Sequence, residues 1–219
     1  MNLVRYKSIE FDKKILFHVI IILIMFAMSL FAFTTLEHEG HWLTGMNNQV
    51  VWGVPHVFAI FLIVAASGIL NIASISSVFG ISAYKPLSRL SALLAIGLLV
   101  GGLMILVMDL GRPDRLIVAM TTFNFKSIFA WNIFLYIGFI FVVVIYLWMM
   151  FEGRYNKHVS KVGMFAYAWR IILTTGTGSI FGFLVAKEAY DSALLAPLFI
   201  AMSLLFGTAI FIKTLYFLR

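Results

Sequence analysis

Long apolar runs alternate along the chain with short segments that carry most of the charged residues. Each run is close to the length of about 20 residues that an α-helix needs to cross a bilayer. The pattern therefore predicts an all-α, polytopic membrane protein with about six transmembrane helices, which form a single transmembrane domain over residues 1–219. The predicted spans are 15–36, 53–80, 90–109, 128–150, 164–187 and 190–217.

The composition supports this class and narrows the chemistry. Hydrophobic residues make up 63% of the chain. Its mean hydropathy of +1.04 is far above that of an average soluble domain. The absence of cysteine excludes disulfides, thiol-attached haem and iron–sulfur clusters held by the chain's own thiolates. We expect no haem or metal in this chain, so that any electron carrier belongs to a partner.

The formal net charge of +7 raises the question of nucleic-acid binding. Basic residues beside membrane spans more often fix topology, because Lys and Arg concentrate in the loops that stay in the cytoplasm. Arg5, Lys7, Lys13 and Lys14 precede a full-length span, which is not typical of a cleavable signal peptide. We therefore expect a cytoplasmic N-terminus, membrane lipid around the spans and no nucleic-acid partner.

The segment "MDLGRPDRL" at 108–116 places a high density of charge at the end of the third predicted span. Asp109 is costly in a membrane helix unless it is paired or hydrated, so it is a candidate for function. Gly111 permits a helix-ending conformation, and Pro113 prevents the helix from resuming. Arg112 and Arg115 are the nearest charge partners in the sequence. A structural salt bridge that fixes the turn is an equally good interpretation.

Polar residues of other spans are predicted to lie at the same depth as Asp109. With the N-terminus inside, spans two and four begin at the outer surface and span five ends there. A His and an Asp at one depth can hydrogen-bond the two oxygens of a small redox molecule and exchange its protons, and a membrane quinone fits this description. We predict proton transfer by His56 and Asp109. The predicted quinone-binding residues are His56, Asp109, Trp52, Asn132 and Thr175.

"DLGRPDR" at 109–115 and "FNFKSIFAWNIFLY" at 123–136 resemble the membrane subunits of the NrfD and polysulfide-reductase type. The resemblance covers roughly residues 50–185. It implies a quinone-reactive membrane anchor without its own haem, built around a four-helix bundle of spans two to five, with menaquinone or ubiquinone as substrate. It also implies a ferredoxin-like iron–sulfur partner outside the cytoplasm, a molybdopterin or multihaem cytochrome subunit beyond it, and the cytoplasmic membrane of a bacterium or archaeon.

The same resemblance implies roles for individual residues. His56 occupies the position where members of the family carry a histidine that contacts quinone. Asp109, at the head of the "DLGRP" segment, occupies the position of a proton-exchanging group. Arg112 would stabilise the turn or a carboxylate. Some members carry a tyrosine in the outer half of the fifth span, where this chain has "LTTGTGSIFG", so Thr175 or Thr177 would replace that contact.

Two questions stay open at this point. Members of the family have eight to ten spans, so we expect this chain to be a fragment of a longer subunit. The alternative function is a proton- or ion-coupled transporter or channel component, in which Asp109 and His56 form an ion site without redox chemistry. Transporters usually place their charges near the middle of the membrane, whereas these charges gather at the outer rim, which favours the redox interpretation.

Three further features receive simpler interpretations. The segment "EHEGH" at 37–41 is predicted to be a polar outer loop, with loose zinc binding as the less favoured alternative. Arg170 lies inside the fifth predicted span, and we expect it to extend toward the membrane surface, with a role toward lipid phosphate or a proton path as the alternative. Gly97, Gly101 and Gly102 make the third span thin, which is typical of close helix packing.

Overall fold

The computed structural model describes residues 12–50, 52–184 and 190–218, and within these ranges every regular element is a helix. The contacts divide the chain into two compact units, Met1–Val51 and Trp52–Arg219. The α-helices are α1 (Lys13–Glu39), α2 (Val54–Ser77), α3 (Lys85–Met108), α4 (Leu116–Thr121), α5 (Ile128–Phe151), α6 (Val159–Gly182) and α7 (Leu195–Leu218).

The first unit consists of α1 followed by one short 3-10 turn, His41–Thr44. Helix α1 begins where the Asp12 carboxylate accepts a hydrogen bond from the Lys13 backbone N–H, and it ends at Gly40, whose φ is +96°. The segment 37–41 is therefore not a loop, because its first three residues form the last turn of α1. Among the described residues, no three His, Cys, Asp or Glu side chains come close enough to hold a metal ion.

The second unit is built on the four-helix bundle predicted for spans two to five. Helices α2, α3, α5 and α6 form a closed ring in which each helix packs on the next, and α7 packs on the outside against α2 and α6. Helix α2 is the most enclosed, since all eight residues of the stretch 63–70 are buried. The bundle therefore has α2 as its central element, with neighbours on every side of its middle turns.

Small residues set the distance between α2 and α7. A Cβ atom added at Gly68 would overlap the backbone carbonyl of Ser203, and one added at Gly207 would overlap the backbone of Gly68. Only glycine at both positions permits this approach, which is a common device for packing helices in membranes. Gly97, by contrast, has open space where a Cβ would stand.

Five of the described helices are long and apolar enough to cross a membrane, namely α1, α2, α3, α5 and α7. Helix α6 has the same length as its neighbours, 24 residues, but a more polar sequence. It begins at Val159, five residues before the predicted span, because the charged first turn is helical too. The sequence pattern also missed the short α4, which lies between the third and fourth long helices.

Candidate functional site

The "DLGRPDR" segment ends α3 without using its glycine in the predicted way. Asp109 caps the helix in a right-handed conformation, with φ −85° and ψ −3°, and its N–H donates to the Ile105 carbonyl at 3.0 Å. Positive φ values occur in the described residues only at Gly40, Gly45 and Gly80, so Gly111 follows the end of α3 without a left-handed conformation. Pro113 begins a separate 3-10 turn, Pro113–Arg115, as its missing N–H and fixed φ favour.

Asp109 pairs with His56, which lies in the first turn of α2. The two helices pack side by side, so that the start of α2 and the end of α3 lie at the same end of the bundle, which we call the site end. His56 Nδ1 is 3.3 Å from Asp109 Oδ2. Asp109 is only 8% exposed, and its second oxygen, Oδ1, is buried without a hydrogen-bond partner in the described part of the chain.

The arginines of the turn do not hold the Asp109 carboxylate. Arg112 pairs with Asp114 instead, with 3.7 Å between Nε and Oδ1, and both side chains are about two-thirds exposed. Arg115 is exposed as well. The turn directs these side chains outward, so the partner of Asp109 comes from another helix and not from the nearest cations in the sequence.

Trp52 stacks on the His56 ring. Their ring centroids are 5.4 Å apart and their planes differ by 9°. Phe181, at the end of α6, and Tyr190, before α7, present ring contacts to Trp52 at 4.9 Å and 6.0 Å. Neither ring was among the predicted site residues, although the alternating direction of the spans predicts that the end of span five and the start of span six meet at the site end.

Asn132 and Thr175 lie at the same end of the bundle, where α5 packs on α6, and not in the contact between His56 and Asp109. Asn132 is 1% exposed, and its Nδ2 donates to the carbonyl of Ile128 at 2.9 Å and to that of Gly176, on α6, at 3.1 Å. Its Oδ1 is buried without a partner among the described residues. Thr175 is half-buried. Within the described ranges, no hydrogen bond or ion pair joins either residue to the His56–Asp109 pair.

Deeper in the bundle, Arg170 is buried and not extended toward the surface. The residue is 2% exposed, because its face of α6 packs against α2, where the hydroxyls of Ser67 and Thr174 both donate to the Arg170 carbonyl. The guanidinium carbon is 4.8 Å from the centre of the Tyr167 ring. Its Nε and Nη1 have no hydrogen-bond partner in the part of the chain that the structure describes.

The His56–Asp109 pair is arranged to accept protons. A carboxylate next to Nδ1 favours the tautomer in which Nδ1 carries the hydrogen, which leaves a lone pair on Nε2 at the other side of the ring. Nε2 can then accept a hydrogen bond and a proton from a hydroxyl, and Asp109 stabilises the imidazolium that results. His56 retains some exposure, with 15% of its side chain accessible, so a ligand can reach its ring.

The fold and this pair define a multi-pass membrane protein with a buried His–Asp pair near one end of a helical bundle. The family model "Polysulphide reductase, NrfD" matches residues 42–219, and the chain belongs to this family. No solved structure matches it significantly.

Three relatives illustrate the similarity. The chain is 33% identical, over 98% of its length and 54% of the relative's, to the Hdr-like menaquinol oxidoreductase integral membrane subunit of Archaeoglobus fulgidus. It is 27% identical to a putative dimethyl sulfoxide reductase membrane subunit of Halobacterium salinarum, over 75% of this chain and 42% of the relative. It is 22% identical to a selenate reductase subunit of Mesobacillus selenatarsenatis, over 78% and 49%. The chain thus spans about half the length of these relatives.

Proposed function

We propose that this chain is the quinone-binding part of a membrane subunit of a respiratory redox complex, and that the quinone binds at the His56–Asp109 pair. The observation that carries the proposal is a buried carboxylate that fixes a partly accessible imidazole, with Nε2 on the side away from Asp109. The relative named as a menaquinol oxidoreductase subunit supports a quinone substrate and favours menaquinone over ubiquinone.

In this proposal His56 and Asp109 exchange protons with the quinone. Oxidation of a quinol releases two electrons and two protons. A quinol hydroxyl passes its proton to His56 Nε2, and Asp109 stabilises the positive ring and relays the proton onward. The second proton follows the same route after the neutral imidazole is restored, and the two electrons pass to the partner. Asn132 Oδ1, which lacks a partner among the described residues, and the Thr175 hydroxyl are the proposed contacts for the other ring oxygen. When the reaction runs toward quinol, His56 and Asp109 return the protons by the reverse route.

The outer part of α2 offers a route from the lipid phase. Val54, Val57 and Phe58 lie within one turn of His56, and each is more than half exposed. A hydrophobic quinone dissolved in the bilayer therefore reaches the site end sideways, between apolar side chains. Its head group then leaves the lipid and meets a pair of polar side chains. Apolar walls with a few polar groups are the usual composition of a small-molecule site.

Electrons must leave the chain to a partner, since its sequence has no cysteine to hold a cluster. We propose a ferredoxin-like iron–sulfur subunit docked at the site end, and a molybdopterin or multihaem cytochrome subunit beyond it. All three relatives carry names of subunits of larger oxidoreductases, which supports such an assembly. The proposed location is the cytoplasmic membrane of a bacterium or archaeon.

The orientation that we propose places the N-terminus inside and the site end outside. Basic residues support it, because Lys85, Arg154, Lys157 and Lys161 all belong to the opposite end of the bundle. Proton translocation is a further part of the proposal. Buried hydroxyl pairs support it, since Tyr136 with Thr177 and Ser67 with Thr174 continue the polar groups from the site end into the bundle.

The proposal is tested by quinol binding to the purified full chain in detergent, measured as quenching of a fluorescent naphthoquinol analogue. We expect saturable quenching in the wild type, and at least a tenfold weaker affinity in Asp109→Asn and His56→Gln, since each loses a charge-assisted hydrogen bond of about 1.5–3 kcal/mol. Asp114→Asn and His158→Gln are the matched controls, because both residues are exposed. Within the assembled complex, Asp109→Asn should abolish quinol-coupled turnover without affecting assembly.

Two results would contradict the proposal. The first is a folded wild-type protein that gives no saturable quenching. The second is an affinity for the naphthoquinol analogue in both Asp109→Asn and His56→Gln that equals that of the wild type. Either result would favour the transporter or channel interpretation, which a flux assay in liposomes would then examine directly with the same Asp109→Asn variant.

A further inference from the structure

The contact between Trp52 and His56 differs from those of two other tryptophans, Trp42 and Trp131. Trp42 and Trp131 are 67% and 48% exposed, and the indole N–H of each donates to a nearby backbone carbonyl. That pattern is typical of tryptophans that anchor a protein at the membrane surface. Trp52 instead lies with its ring parallel to an imidazole, within 9°.

The His56 ring is fixed at two places by different forces. The ion pair with Asp109 holds one atom, Nδ1, but a contact at one atom leaves the plane of the ring able to rotate about it. The parallel Trp52 ring restricts that rotation, because tilting the imidazole would bring its edge into the indole. Together, the two contacts determine the direction in which Nε2 points.

Trp52 is itself held by neighbouring rings. Phe181 meets it at 69° and Tyr190 at 60°, which are the edge-to-face arrangements that aromatic pairs prefer. Phe181 also stacks on Phe199 of α7, with 5.4 Å between centroids and 28° between planes. A continuous series of rings therefore connects α7 and α6 to the imidazole at the start of α2.

We infer that Trp52 is a positioning residue that acts through His56, and that it does not contact the quinone itself. The inference rests on the proposed function. One face of the indole is covered by His56, and two of its sides are occupied by Phe181 and Tyr190. Trp52 keeps the His56 plane in the orientation in which Nε2 accepts the hydrogen bond from a quinol hydroxyl.

The first measurement compares affinity for the naphthoquinol analogue in Trp52→Leu, Trp52→Phe and the control Trp131→Leu. We expect Trp52→Leu to weaken binding about five- to tenfold, as the loss of an aromatic pair predicts. Trp52→Phe keeps a flat ring and should retain an affinity within about twofold of the wild type. Trp131→Leu should bind as the wild type does. Equal losses in both Trp52 variants would overturn the inference.

A double-variant comparison separates positioning from direct contact. If Trp52 acts through His56, then Trp52→Leu should have little further effect once His56→Gln is present. If Trp52 touches the quinone, the two losses should add. Additive losses would therefore show that Trp52 is a substrate contact and that the inference is wrong.

The second measurement needs no quinone. In protein labelled with ¹⁵N-histidine, the ring nitrogens of His56, assigned by their disappearance in His56→Gln, report which nitrogen carries the hydrogen. We expect one narrow, Nδ1-protonated signal in the wild type and in Trp52→Phe. Trp52→Leu should keep the hydrogen on Nδ1, which Asp109 fixes, but give broadened ring signals because the plane of the imidazole is no longer held. An unchanged spectrum in Trp52→Leu would refute the positioning role. If the wild type binds no quinol analogue, the proposed function fails, and this spectrum alone still decides on Trp52.

Discussion

The two halves of α2 have very different surroundings. In the inner half and the turn next to it, the eight consecutive residues from 63 to 70 are buried by helices on all sides. In the outer half, Val54, Val57 and Phe58 are 62%, 66% and 58% exposed, and His56 lies among them. The comparison shows that one helix can be enclosed by its neighbours along its middle turns and expose apolar side chains beside a buried ion pair at its outer end.

The polar groups follow the same division. Near the inner half, the Ser91 hydroxyl donates to the Ile69 carbonyl at 2.6 Å and accepts from the Ala73 N–H at 3.2 Å, which joins α3 to α2. The Tyr146 hydroxyl forms hydrogen bonds to the Ser77 hydroxyl and the Ala73 carbonyl. Near the outer half, Asp109 Oδ1 has no partner among the described residues. Hydroxyl groups thus join the helices around the inner half, whereas the carboxylate at the outer end keeps one oxygen unused among the described residues.

The largest expected effect on stability is at the contact between α2 and α7. Gly207→Ala would place a methyl group inside the backbone of Gly68, so the helices must separate. We expect a loss of about 3 kcal/mol in the free energy of unfolding, measured by denaturant titration in detergent micelles. Gly97→Ala, where a Cβ meets nothing, is the matched control. Equal stability of the two variants would show that the inner half is not locked in this way.

Tyr146→Phe should have the next largest effect. It removes the hydroxyl that reaches Ser77 at 2.6 Å, and hydrogen bonds between membrane helices contribute about 0.6 kcal/mol on average, up to about 1.7. We expect a loss of about 1 kcal/mol with unchanged affinity for the quinol analogue. Tyr216→Phe, at a residue that is 78% exposed, serves for comparison. Weakened quinol binding in Tyr146→Phe would argue against a purely structural inner half.

Asp109→Asn should change stability less than either of these variants. The substitution keeps the size of the side chain and removes a buried charge, so the loss of the ion pair is offset by a smaller desolvation cost. We expect a change below about 1 kcal/mol in the same denaturant titration, together with the loss of quinol binding. A drop of several kcal/mol would mean that the pair with His56 is a structural element.

Asp114→Asn should produce the smallest effect. Its pair with Arg112 is about two-thirds exposed on both sides, and such pairs contribute between about 0.2 and 1 kcal/mol. We expect the low end of that range for stability and no change in quinol affinity. A loss of quinol affinity in this variant would show that the turn, and not Asp109 alone, belongs to the site.

The sequence predicts the bundle and the depth of the site because spans must alternate in direction. That rule alone brings the start of α2 and the end of α3 to one surface, and so it places His56 near Asp109. It does not predict which charge approaches Asp109, because the arginines nearest in sequence point outward from the turn. Contacts between side chains of different helices depend on how each helix is rotated, and the apolar pattern hardly defines that rotation here.

Two other outcomes come from the rotation of a helix and from the position of a helix boundary. The burial of Arg170 follows from the face of α6 that packs against α2, which a nearly uniform apolar sequence does not reveal. The contact between Tyr190 and Trp52 depends on where the segment before α7 begins, and the predicted sixth span absorbed that residue into a helix. Predictions that follow from the alternation of the spans agree with the structure, whereas several helix boundaries and the contacts that depend on helix rotation differ from it.

The polarity of α6 has a consequence for how the protein is made. A segment that carries Lys161 and Arg170 among its threonines and glycines partitions poorly into lipid by itself, since a cation near the centre of a span opposes insertion by about 2.5–3.5 kcal/mol. Its neighbour α5 is strongly apolar and joined to it by only the short turn Gly153–His158. Because the face that carries Arg170 packs against α2, we expect stable insertion of α6 to require α2 already in the membrane, so biogenesis of the bundle depends on the order in which its helices are synthesised.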